Sequence, residues 1–115
     1  MIASPRPIWI PGFELQAGSV AGGPLYLLDW TLLGPNHTAL RFVLINTGGT
    51  ILTATPEAGY DGAHAEVGPL APAAFQVQPG TAYGDPYGVD EMRPWWRFSV
   101  SGTGDFMWGV QGIER

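Results

Sequence analysis

The chain reads as all-β: a small antiparallel β-sandwich or barrel of six to seven short strands, preceded by an extended N-terminal arm. Three observations predict it. The 17 glycines and 11 prolines recur as punctuation between short apolar runs. A hydrophobic content of 45% supplies the apolar surface that a disordered chain lacks. Wherever a period can be followed it is two, the period of a strand, as in the run from Leu40 to Ile45. At 115 residues this is one domain, large enough to bury roughly two-thirds of its unfolded surface without staples.

Residues 1–24 follow neither the strand nor the helix period, and Pro5, Pro7, Pro11, AGSVAGG and Pro24 interrupt them. We read them as the arm and residues 25–115 as the domain. Ile8, Trp9, Ile10 and Phe13 are large and apolar, so the arm packs on something, either its own sheet or a neighbouring molecule.

LYLLDWTLL (25–33) is a strand with Tyr26, Leu28, Trp30 and Leu32 on one face. GPNHT (34–38) turns the chain back. LRFVLINTGGTILTAT (40–55) predicts a hairpin in which Gly48 and Gly49 supply positive φ. Its first strand is apolar on both faces and should be central and covered on both. Its second has a threonine-lined face that can meet water. Short strands are expected at AHAEV (63–67) and AAFQVQ (73–78), the latter ended by Pro79-Gly80. A final hairpin would place Trp96, Phe98 and Val100 before an SGTG turn (101–104), with Phe106, Trp108 and Val110 returning on the same face. Trp95, Arg97, Ser99, Met107 and Gln111 would lie on the other.

The residue inventory excludes several chemistries. There is no cysteine, hence no disulfide framework, thiolate zinc site or cysteine nucleophile. All five cationic residues are arginine and scattered, so no basic stripe exists for nucleic acid. Without lysine there is no Schiff base and no P-loop. No window approaches the ~18 apolar residues of a membrane helix. Three prolines break the N-terminal MIASPRPIWIPG too early for a signal peptide. We expect a soluble protein that stays in the cytoplasm where it is made.

His37 in a turn and His64 on a strand, with Asp61 or Glu66 beside it, show no metal-ligand spacing and read as surface histidines. GDPYGVDEM carries Asp85, Asp90 and Glu91 but does not match the EF-hand loop; it reads as a solvated loop. No catalytic constellation emerges, and we expect neither an enzyme nor a cofactor.

The aromatic residues are the remaining candidates. Tyr83, Tyr87, Trp95 and Trp96 fall within fourteen positions. Alternation lets only one of the adjacent tryptophans face the core. The other, Trp95, is either exposed to a protein or sugar partner or covered by the protein's own loop or arm. Trp, Tyr and Arg also dominate protein–protein hot spots. The candidate contact residues are therefore Ile8, Trp9, Ile10 and Phe13 on the arm, with Tyr87, Trp95 and Arg97 at the aromatic patch.

One pattern spans about residues 25–112: LRFVLINTGGT, then Asp61-Gly62, Ala71-Pro72, Gln78-Pro79-Gly80-Thr81 and WWRFSVSGTGDFMWGV. It resembles small β-sandwich virion proteins of tailed bacteriophages, especially capsid decoration or head-stabilising proteins. The resemblance implies a non-enzymatic protein on the capsid surface, bound to the major capsid protein or other virion proteins, with no nucleic-acid or membrane partner. It also implies a homo-oligomer, a trimer before other states, whose arm reaches neighbouring subunits. A head–tail connector or tail component has the same needs. A carbohydrate-binding β-sandwich using exposed Trp and Tyr is the reading from another class.

Overall fold

The computed structural model describes residues 7–10, 15–33, 37–84, 86–89 and 93–114, with 7–10 and 114 by backbone alone. The described residues form an all-β molecule whose antiparallel sheet is nearly closed into a barrel. The strands are β1 (Pro7–Ile10), β2 (Gln16–Leu32), β3 (His37–Asn46), β4 (Leu52–Gly59), β5 (Phe75–Val77), β6 (Ala82–Tyr83), β7 (Pro86–Gly88) and β8 (Trp95–Glu114).

These strands belong to four long runs of chain. β8 lies at the centre. Along one edge it pairs with β1 and then β2, from Pro7↔Ile113 to Leu32↔Trp95. Along the other it pairs with β3 and then β4, from His37↔Glu114 to Gly59↔Trp95. β5 continues the sheet beyond β4, and β6 and β7 do so beyond β3. The third run, β5 to β7, is thus antiparallel to the second.

The sheet folds over on itself. Phe42 in β3 is registered with Val110 of β8, twelve positions from Phe98. Straight, that stretch would span about 40 Å, yet the Phe42 and Phe98 rings stack with centroids 4.4 Å apart. Trp96 joins them 6.1 Å from Phe42. The even-numbered side chains from Leu40 to Leu44 and from Trp96 to Val110 line this concave core, with Leu52, Ala54, Ala58 and Val77.

All four runs bend in one row. Gly22 of β2 is registered with Gly102 of β8, Thr47 N–H donates to Asp105 O at 3.2 Å, and Gly80 N–H donates to Asn46 O at 2.8 Å. Gly102 and Gly104 hold φ of 118° and 146°, which L side chains avoid. A Cβ on Gly102 would sit 3.0 Å from the Ile51 carbonyl oxygen.

Several expectations change accordingly. SGTG bends one continuous strand instead of reversing it, which is why Trp96 and Phe106 share a face without a hairpin. NTGGT likewise joins β3 to β4 without reversing direction: both follow the same edge of β8 and do not pair with each other. Gly48 and Gly49 therefore need no positive φ and have none. The outer face of β3 is only partly covered, with Arg41 exposed and Val43 and Ile45 half-buried. Residues 63–67 lie in a loop, and the strand expected at 73–78 is Phe75–Val77. His37 begins β3 and is buried, its ring nitrogens without hydrogen-bond partners.

The expected boundary between arm and domain falls inside β2, which runs across positions 24 and 25 as extended backbone. Its register slips between Tyr26 and Leu28 and again between Leu28 and Thr31. These bulges separate residues that simple alternation put on one face. Leu28 is buried, while Tyr26 and Leu32 are exposed and Trp30 is half-buried.

Candidate interaction surfaces

The first surface lies on the outer face near the start of β8. Thr31 Oγ1 donates to Asp29 O at 2.7 Å, and Trp30 N–H to Asp29 Oδ1 at 2.8 Å. These local bonds accompany the second bulge of β2. Arg97 lies on the odd, outward face of β8. Its guanidinium carbon is 4.6 Å from the Tyr26 ring centroid and 4.6 Å from that of Trp30. Its Nε donates to Glu57 Oε1 at 2.9 Å. That hydrogen bond holds the guanidinium pKa above its ordinary value. Arg97, held by Glu57, thus lies over the Tyr26 and Trp30 rings in cation–π contact.

The second surface is the loop 60–74. Asp61 Oδ1 accepts from the N–H groups of Ala63 and His64 at 2.9 Å each, and Asp61 Oδ2 lies 2.9 Å from His64 Nδ1. These backbone bonds, with the His64 side chain next, hold the Asp61 carboxyl below the usual carboxylate range. Farther on, Arg93 Nη1 donates to Glu66 Oε1 at 3.0 Å and to Leu70 O at 2.7 Å, and its guanidinium lies 5.5 Å from the Trp96 ring centroid. The Tyr60 hydroxyl donates to the other Glu66 oxygen. A buried carboxylate with these partners fastens the loop to the core. The same loop leaves Val67 89% and Leu70 81% exposed, with Tyr60 62% exposed beside them.

Among the candidates from sequence, Trp95 is half-buried beneath this loop: a Cβ on Gly62 would lie 3.3 Å from its ring. Tyr87 packs into the core, its ring 6.1 Å from Phe42 and 5.5 Å from Trp96. Tyr87, Trp95 and Arg97 therefore form no shared stacking platform. Ile8, Trp9 and Ile10 are registered with Gly112, Gln111 and Val110 of β8, which lays this part of the arm on its own sheet. Phe13 lies outside the described residues.

Val67 falls in the strand expected at 63–67 and Leu70 in GPLAP, which reads as punctuation between two strands, so neither stands out as an exposed residue. The signal was there in two large apolar residues set among glycine and proline. A shallow depression of about 70 Å3, lined by Ala39, Leu40, Arg41, Pro86, Gln111 and Ile113, is several-fold below the roughly 300 Å3 from which small-molecule pockets begin. Among the described residues no three His, Asp or Glu side chains converge as metal ligands. Compared with protein-family models, curated proteins and solved structures, the chain matches none.

Proposed function

We propose that this chain is a non-enzymatic structural protein that works by adhesion to other proteins, and that its place is the capsid surface of a tailed phage, as decoration. The observation that carries the adhesive reading is the loop tip. Val67 and Leu70 stand almost fully in solvent on a loop that Glu66 and Arg93 fasten to the core. Apolar side chains held out by a fixed frame lose little freedom on docking, and that lowers the cost of association. The capsid assignment is supported by the resemblance in the NTGG, PGT and aromatic segments. Many modest contacts repeated over a shell add up through multivalency.

The test is mass spectrometry and immunogold microscopy of phage particles purified from cells that carry the gene. Decoration predicts many copies per head, released by mild denaturant while heads stay intact, with Leu70→Asp particles losing most of their copies. A few copies at one vertex would move the assignment to the connector or tail. Absence from particles would overturn it.

A further inference from the structure

We propose that Arg41 and Gln111 form a carboxylate-binding socket on the outer face of the sheet, and that it takes an acidic side chain flanked by an apolar one on a segment of the partner protein. This rests on the reading of the chain as an adhesive protein and names the chemistry of a second contact.

Arg41 and Gln111 are Cα partners across the β3–β8 ladder. Both have the outward parity, since Leu40, Phe42, Val110 and Gly112 on either side of them are buried. Side chains paired in this way start about 4.5–5.5 Å apart. A guanidinium and an amide there can reach one carboxylate together, the guanidinium with two parallel N–H donors. The two residues line one shallow depression with Ala39, Pro86 and Ile113, which add apolar surface beside the polar pair. The Arg41 stem is held in place. A Cβ on Gly84 would lie 3.1 Å from its Cγ and 3.2 Å from its Cδ, so the glycine leaves the groove in which the stem runs. A stem already fixed loses less freedom when a ligand binds.

The unbalanced charge points to an acidic ligand. Arg93 and Arg97 are each paired with a glutamate of the same chain, Glu66 and Glu57. Arg41 is exposed and, among the described residues, has neither an ion pair nor a side-chain hydrogen bond, and the Gln111 amide likewise has none. A free guanidinium in a chain of formal net charge −5 is complementary to a carboxylate from outside. The apolar walls call for an apolar group next to that carboxylate. At about 70 Å3 the depression houses part of a side chain and not a whole small molecule. Being shallow, between exposed Arg41 and exposed Pro86, it suits a segment that passes across the sheet and has no closed end to receive a chain terminus.

The test is an NMR titration of the isotope-labelled full chain with the blocked peptide acetyl-Leu-Glu-Leu-amide. The side-chain N–H signals of Arg41 and Gln111 should shift together and saturate, with a dissociation constant on the order of 1 mM for so small a ligand. The counterpart acetyl-Leu-Gln-Leu-amide should bind about ten-fold more weakly, because it offers no charge-assisted hydrogen bond. Arg41→Gln should weaken the acidic peptide by about ten-fold or more, and Arg41→Lys by about three-fold, since an ammonium lacks the paired donors. The two peptides compared on the unmodified protein give a readout independent of whether the variants fold.

No saturable shift at Arg41 and Gln111, equal binding of the two blocked peptides, or an Arg41→Gln protein that binds as the parent does would overturn the proposal. So would binding only of acetyl-Leu-Leu with a free terminal carboxylate, which would make the occupant a chain end. A protein that coats particles yet ignores the acidic peptide would sink the socket alone. One that takes the peptide yet is absent from particles would sink the capsid reading alone.

Discussion

The side-chain amide of Asn46 donates to the Val77 carbonyl at 2.9 Å, across 31 positions of sequence, and ties the second run of chain to the third where both bend. The same amide donates to Thr50 O at 2.7 Å, and Asn46 Oδ1 accepts from Gly48 N–H at 3.0 Å. Asn46 is 1% exposed, so water cannot replace these bonds. Asn46→Ala should lower stability by about 1–3 kcal/mol, because buried donors and acceptors are left unpaired. Urea unfolding would show a reduced midpoint at an unchanged slope.

Glycines of similar appearance should respond differently. Gly102 has positive φ and little room for a Cβ, whereas Gly49 has ordinary φ and nothing within 4 Å. Gly102→Ala should cost about 1–3 kcal/mol through backbone strain. Gly49→Ala should stay within about 0.5 kcal/mol of the parent. Thermal unfolding of the two variants side by side makes the comparison, and equal losses would mean that the bend is not held at Gly102.

Arg97 acts through the shape of its guanidinium as well as its charge. Arg97→Lys keeps the charge but loses the planar group beside Tyr26 and Trp30, and should cost about 1 kcal/mol. The variant should also shift the tryptophan emission, since the planar guanidinium whose carbon lies 4.6 Å from the Trp30 ring centroid is replaced by an ammonium of different shape and reach. Unchanged emission and stability together would remove any role for the stacked geometry.

The Asp61 turn predicts a pH dependence with a definite sign. Its folded pKa lies below the ordinary 3.8, so the unfolded chain takes up the proton first as pH falls. The contribution is present above 3.8 and is lost as pH falls through the folded value. Asp61→Asn keeps an acceptor for the Ala63 and His64 N–H groups. It should leave stability near neutral pH almost unchanged and flatten the acid limb, read from urea midpoints between roughly pH 5 and 2.

Much of the core was legible. The parity of Leu40, Phe42 and Leu44, and of the even positions from Trp96 to Val110, identified buried faces that the structure confirms. That parity also continues unbroken through Gly102 and Gly104, which is the mark of one strand and not two. Composition hid it, because SGTG is equally good turn chemistry. That Leu28 leaves the face carrying Tyr26 and Trp30 was not legible, since each bulge in β2 shifts the alternation by one position. The exposed tip at Val67 and Leu70 depends on Glu66 meeting Arg93, 27 positions away, and local sequence carries no trace of that meeting.

The sequence by itself determined that this chain is all-β, where glycine interrupts it, and which side chains of β3 and β8 enter the core, because backbone preference and side-chain parity are local properties. Only the tertiary structure decided that NTGGT and SGTG are bends in continuous runs, that β8 separates β2 from β3 and β4, and which surfaces remain open. A glycine permits a bend or a reversal with equal ease. Which one occurs is decided by the strand that lies alongside, through hydrogen bonds between residues far apart in the chain.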